Sequence, residues 1–140
     1  MKHLLDVNVL VALADPQHIH HKIVMKWFNT PRLDWGVCAF TEAGFMRVST
    51  NPSAGGYSVE RAIEFLALLA NHPGYHYWPI TTPFATLTKP IDDRIHGHQQ
   101  ITDALLLSLA IKEKAVLVTL DKAMKYLAGA KFSKHVLLIE

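Results

Sequence analysis

Short apolar runs alternate along the chain with stretches whose apolar residues recur every three or four positions. That alternation sets the expected order of elements. His3-Leu4-Leu5 reads as a first strand, running into a helix through Val9, Leu10, Val11 and Leu13. Ile19, Ile23, Val24 and Trp27 fall at helical spacing and predict a second helix over about residues 18–28. Trp35 to Cys38 reads as a second strand, followed by a helix that begins near Thr41. Ser58 suits the N-cap of a helix with Val59, Ile63, Leu66 and Ala70 on one face, and Asn71-His72-Pro73-Gly74 stops it. Tyr75 to Trp78 is the third expected strand.

From Pro79 to Gln100 the pattern changes to prolines and polar residues with little periodicity. This stretch reads as a long surface loop with one short helical turn, and loops of that length in a compact domain are more often functional than idle. Thr102 is then expected to cap a helix through about Lys114 that is apolar nearly all round, with Leu105, Leu106, Leu107, Leu109 and Ile111. Val116-Leu117-Val118 is a buried strand, Lys122 to Leu127 a short helix, and Val136 to Ile139 a last strand. The expected architecture is α/β. One domain over residues 1–140 holds a mostly parallel central sheet of about five strands with helices on both faces.

Composition narrows the function. Half of the 140 residues are apolar and only 19% are charged, enough for a real core and too few charges for a disordered chain. A formal charge of +2 does not by itself mark a nucleic-acid binder. The single cysteine, Cys38, excludes an internal disulfide framework and a Cys-based zinc site. No apolar run reaches the ~20 residues that span a bilayer. The N-terminus imitates a signal peptide, but Asp6 and Asn8 interrupt its apolar region, and a cytoplasmic protein is expected.

The acids carry the chemistry. Asp6 ends the first expected strand inside Leu4-Leu5-Asp6-Val7-Asn8-Val9-Leu10, where an unpaired carboxylate is costly to bury. Asp121 ends the strand in Val116-Leu117-Val118-Thr119-Leu120-Asp121 in the same manner. Glu42 opens the helix after the second strand, and Asp103 opens the helix after the long loop. In a parallel sheet the strand C-termini share one edge, where ligands bind. Taken singly, Glu42, Asp103 and Asp121 each fit an acid that complements a helix dipole, worth only ~0.3–1 kcal/mol. Together, four acids at one edge repel each other unless divalent cations are bound. An all-oxygen site without thiolates favours Mg²⁺ or Mn²⁺ over zinc.

Leu5-Asp6-Val7-Asn8-Val9-Leu10, Thr41-Glu42-Ala43, Thr102-Asp103-Ala104 and Val118-Thr119-Leu120-Asp121 resemble the motif set of PIN-domain nucleases, and the size and motif order resemble the VapC-type toxins of bacterial toxin–antitoxin pairs. The resemblance spans roughly residues 3 to 138. It implies a PIN-like three-layer fold and a Mg²⁺-dependent endoribonuclease in which Asp6, Glu42, Asp103 and Asp121 hold the metal. Asn8 and Thr119 would support the cluster by hydrogen bonding. It also implies an RNA substrate, a small antitoxin partner and a homodimer. The chemistry agrees with the acids: bound Mg²⁺ activates water and clamps phosphoryl oxygens, so no side-chain nucleophile is required.

Other residues attract functional readings. Arg47 and Arg94 are candidates for bidentate grip on RNA phosphate. His96 and His98 lie in the long loop just before Asp103 and are candidates for contact with RNA. His18-Ile19-His20-His21 reads as solvated surface, and Tyr75, Tyr77 and Trp78 as core or strand residues rather than base-stacking platforms. The helices at 58–71 and 102–114 carry more apolar residues than one sheet face can cover, which points to a dimer interface. Two alternatives remain: a phosphatase or phosphotransfer enzyme with Asp6 as nucleophile, and a catalytically idle protein-binding domain.

Overall fold

Strand pairing in the computed structural model, which describes residues 1–140, joins five segments in one wholly parallel sheet. They are β1 (Lys2–Leu5), β2 (Asp34–Val37), β3 (Tyr75–Tyr77), β4 (Val116–Thr119) and β5 (Val136–Leu138), in the order β3-β2-β1-β4-β5. β1 is central, with His3 opposite Trp35 on one side and opposite Val116 on the other. Chain order reverses between β1 and β4. Open α/β sheets form their ligand crevice at such a reversal, outside the strand C-termini. Asp6 and Asp121 lie just past the ends of these two strands.

The period of two within each strand sorts the core onto both faces. Leu5 and Val118 face α1 (Val7–Ala14), α2 (His21–Phe28), α3 (Ala39–Ser49) and α4 (Val59–Leu69), in a cluster with Val9, Leu10 and Phe45. Leu4 and Leu117 point the other way, into a cluster with Leu106, Leu107 and Met124 from α6 (Ile101–Lys112) and α7 (Ala123–Ala128). Two glycines permit close approaches. A side chain at Gly36 would collide with the His76 carbonyl and the Trp78 indole, and one at Gly44 would collide with Val7, which packs α3 tightly on the start of α1. No helix is long and apolar enough to cross a membrane.

Several boundaries differ from the sequence reading. α2 begins at His21 rather than 18, because residues 15–20 form a turn bound back to α1: His18 N–H donates to the Asp15 carbonyl and His21 N–H to that of His18, both at 3.0 Å. α3 begins at Ala39, and Thr41 sits inside it, its hydroxyl accepting the Cys38 N–H at 3.0 Å. Ser58 does cap α4, accepting the Arg61 N–H at 3.1 Å. The stretch from Pro79 to Gln100 is more ordered than expected, with α5 (Phe84–Leu87) and 3-10 turns at Lys89–Arg94 and His98–Gln100. Leu87 and Ile91 anchor it by burial. Thr102 is not a cap: the turn at His98–Gln100 leads straight into α6 at Ile101.

The two apolar helices also part company. α6 buries every residue from Ala104 to Ala110, so its apolar excess is spent within the chain. α4 keeps its excess on the surface, with Val59, Ile63 and Leu68 each more than half exposed.

Candidate active site

Asp6 is built into the fold by four connections. Its N–H donates to the Val118 carbonyl at 2.9 Å, extending the β1–β4 ladder by one residue. Its Oδ1 accepts the Val7 N–H at 2.7 Å, capping α1, and its Oδ2 accepts the Thr119 hydroxyl at 2.7 Å. Its carbonyl accepts the Val9 N–H at 3.1 Å. The side chain is almost wholly removed from solvent.

Thr119, at the end of β4, is the hub. Its buried hydroxyl donates to Asp6, accepts the Asp121 N–H at 3.1 Å and lies 3.4 Å from the Asn8 amide nitrogen. Asn8 also accepts the Leu120 N–H on Oδ1 at 3.2 Å. Asp121 in turn accepts the Ala123 N–H on Oδ1 at 2.9 Å, at the entry to α7. A single hydroxyl thus ties the ends of two neighbouring strands, and both supporting residues named from the sequence stand in this network.

Asp6, Asp103 and Asp121 line one open cleft of about 340 Å³, together with Asn8, His18 and the apolar side chains of Val7, Val11 and Val48. No lysine or arginine is among the lining residues. The electrostatic cost is visible. Burial raises the Asp6 carboxyl, and the Asp121 charge adds to it, against the lowering hydrogen bonds from Thr119 and Val7. Asp103, at the start of α6, is pushed up to about 6 by burial and by the charges of Asp6 and Asp121.

The other sequence candidates are not among the residues lining that cleft. Glu42, on the first turn of α3, is not among the residues lining the acid cleft. Burial raises its carboxyl, and its charge helps to raise the Tyr75 hydroxyl, behind burial of that ring. Three of the four acids thus line the cleft itself. Arg94 is engaged within the fold, where its Nε and Nη2 donate to the Tyr126 carbonyl at 3.1 and 2.6 Å. Nε also donates to the Leu127 carbonyl at 3.0 Å, so the guanidinium closes the end of α7. His96 and His98 are exposed and line a separate shallow depression with Gln99 and Gln100. Arg47 lies near the end of α3, one residue before the cleft-lining Val48.

One cleft residue escapes the sequence reading. His18 belongs to a segment that reads as solvated surface, yet the turn after α1 brings it into the lining of the acid cleft. Only the direction of that turn distinguishes it from His20, and no local pattern encodes the direction.

A family model for the PIN domain matches residues 3–130. The chain belongs to the PIN-domain family. Among its relatives, ribonuclease VapC39 of Mycobacterium tuberculosis is 36% identical over 133 residues, covering 93% of this chain and 96% of that protein. Ribonuclease VapC44 of the same organism is 40% identical over 129 residues, covering 89% of each. The PIN fold recurs in solved structures. A toxin–antitoxin complex from Klebsiella pneumoniae superposes with a TM-score of 0.66 at 15% identity, covering 99% of this chain and 98% of that one. VapBC2 from Rickettsia felis, bound to a promoter DNA fragment, gives 0.64 at 16% identity, with coverage of 91% and 93%. This PIN domain is accordingly a nuclease by family, with its acid cleft at the switch point of the sheet.

The donor set can be tested against a cation. No three of the chain's His, Cys, Asp and Glu side chains stand close enough together to hold a metal ion directly. A hydrated Mg²⁺ does not ask for that, since it keeps several waters and takes one or two carboxylates. The carboxylate-rich lining, the lack of any lysine or arginine in it and the mutual repulsion of Asp6, Asp103 and Asp121 fit such an ion.

Proposed function

We propose that this PIN domain is a Mg²⁺-dependent endoribonuclease that acts in the cytoplasm as the growth-inhibiting toxin of a toxin–antitoxin pair. The observation that carries the reading is the convergence of Asp6, Asp103 and Asp121 in one cleft with no lysine or arginine to neutralise them. Relatives at 36–40% identity named as ribonucleases support RNA as substrate. The three aspartates would hold a hydrated Mg²⁺, one or two of them directly and the rest through its waters, with Mn²⁺ a substitute of the same preference for oxygen. When bound, the ion supplies an activated water and charge neutralisation on the phosphate.

The chain's own contribution is order. Thr119 and the Val7 N–H hold both oxygens of Asp6, and Thr119 fixes the backbone of Asp121. Asn8 locks the register of Leu120 between them. Ligand carboxylates anchored by such partners keep their geometry through a turnover.

We also infer a homodimer through the exposed apolar face of α4, where Val59, Ile63 and Leu68 stand uncovered, and a small antitoxin that masks the toxin in the resting cell. Resemblance of the fold to toxin–antitoxin complexes supports the second partner. The test of function is sequencing of RNA 5′ ends after controlled expression. Wild type should generate discrete new ends that an Asp6→Ala variant does not. Identical ends from both proteins would overturn the reading.

A further inference from the structure

The side chains lining the acid cleft differ in what they offer an incoming polyanion. Asp6, Asp103 and Asp121 only accept when ionised, and Val7, Val11 and Val48 offer nothing polar. Asn8 is engaged within the protein, with its amide nitrogen 3.4 Å from the Thr119 hydroxyl and its Oδ1 taking the Leu120 N–H. His18 remains.

The His18 ring has a defined tautomer. Its Nδ1 accepts the backbone N–H of His20 at 3.1 Å. A ring nitrogen that accepts carries no proton, so the neutral imidazole has its proton on Nε2. An Nε2–H has no lone pair for a cation and is a hydrogen-bond donor. A place in the lining of an acid cleft would by itself suggest a further metal ligand. The hydrogen bonding of His18 makes it an anion-binding group instead.

The ring is also held in place in advance. The His18 N–H and carbonyl both bond within the turn, Asp15 Oδ1 takes the Gln17 N–H at 2.9 Å, and His21 Nδ1 lies 2.7 Å from the Ala12 carbonyl. These contacts tie the turn to α1, whose first residue is capped by Asp6. A donor fixed before its ligand arrives loses little freedom on binding.

We propose that His18 is a substrate-binding residue of this cleft, donating its Nε2–H to a non-bridging phosphate oxygen of the RNA backbone. The proposal rests on the nuclease reading above. It assigns His18 a contact with the backbone rather than a base, so its contribution is the same for any RNA sequence.

The test measures cleavage and anisotropy binding of a short labelled single-stranded RNA of mixed sequence in Mg²⁺. His18→Ala should raise KM roughly tenfold, the effect of losing one hydrogen bond to an anion, with kcat within about twofold of wild type. The Mg²⁺ concentration for half-maximal rate should not move. His18→Gln, which restores an N–H donor of similar reach, should recover most of the loss. His18→Asn can still accept the His20 N–H but falls short of the phosphate. It should behave like His18→Ala and keeps the test valid if the alanine variant melts early.

An unchanged KM in both short variants, a loss confined to kcat, or a weakened response to Mg²⁺ would each overturn the proposal, the last by making His18 a metal ligand. If wild type neither binds nor cleaves RNA in Mg²⁺, the nuclease reading fails and the His18 contact with it. Normal cleavage by wild type with an indifferent His18 defeats this proposal alone.

Discussion

The two edges of the sheet carry similar residues and treat them in opposite ways. At the N-terminal edge a hollow of about 500 Å³ is lined by Asp34, His72, His76 and Arg32 among others. It is larger than the acid cleft, yet it mixes acidic and basic side chains. His76 Nε2 lies 3.4 Å from Asp34 Oδ1, and nearby Lys2 Nζ lies 3.8 Å from Glu113 Oε2. His72 is occupied as well, its Nδ1 accepting the Trp35 indole N–H and the Gly74 N–H, both at 3.0 Å. At the C-terminal edge, Asp6, Asp103 and Asp121 share a smaller cleft with no lysine or arginine among the lining residues. Size does not distinguish a working site from a surface hollow here. An unresolved electrostatic conflict is the better mark of a functional site, because function is a common reason for a fold to retain one.

The contrast is broken most directly at the hub of the acid edge. Thr119→Val keeps the shape of the side chain but removes the hydroxyl shared by Asp6, Asp121 and Asn8. RNA cleavage should fall about 10- to 100-fold, the usual cost of losing a group that orients metal ligands, and chemical denaturation should show a loss of roughly 1–3 kcal/mol. A variant with full activity would show that the network does not organise the site.

A smaller effect, of opposite sign, is expected from relieving the repulsion. The Asp103 carboxyl is raised, so its proton stabilises the folded state and that stability is lost as pH rises from the ordinary range near 3.8 through about 6. Without metal, stability should therefore decline across this window. Asp103→Asn should flatten the decline and stabilise the metal-free protein near neutrality by about 1–2 kcal/mol, after discounting for solvent at a partly exposed group. A metal-free melting curve that keeps its pH slope in the variant would contradict the assignment. The smallest effect belongs to the opposite edge. His76→Ala removes an exposed pair worth about 0–1 kcal/mol and should leave cleavage kinetics unchanged. A marked loss of activity would mean that the larger hollow takes part in function.

The acids at the strand ends are legible in the sequence because their context is local. Asp6 and Asp121 each close an apolar run, and in a parallel sheet such positions must fall on one edge whatever the loops do. Asn8 and Thr119 sit two residues from those acids, so the family motifs place them together as well. Legibility fades where position depends on how a connection turns. His18 reaches the cleft because the turn at 15–20 doubles back on α1, while His96 and His98, nearer in sequence to Asp103, face solvent on another surface. Arg94 looks free to grip phosphate in the sequence because its partners, the carbonyls of Tyr126 and Leu127, lie 32 and 33 residues away. The segment 79–100 lacks helical periodicity because its short turns are anchored by a few irregularly spaced residues, chiefly Leu87, Thr88 and Ile91, that set no pattern. Glu42 opens its helix as the other acids do, but its carboxyl is not among the groups lining the cleft. The apolar surplus of α6 misleads for the complementary reason. Packing from β1, β4, α5, α7 and the 3-10 turns before it surrounds that helix, and helical periodicity alone does not reveal such enclosure.

The central claim is that the three aspartates form one cation site that serves phosphodiester hydrolysis. Isothermal titration of Mg²⁺ into the purified protein at pH 7 and again below pH 6 tests it most directly, because a carboxyl pushed up to about 6 is mostly ionised at pH 7 and must shed its proton to bind at the lower pH. Binding is expected near neutrality and should weaken at the lower pH, where proton release makes the heat depend on buffer, and it should be lost in Asp6→Asn and Asp121→Asn alike. Binding that persists unchanged in both variants, or no binding by the wild-type protein, would contradict it.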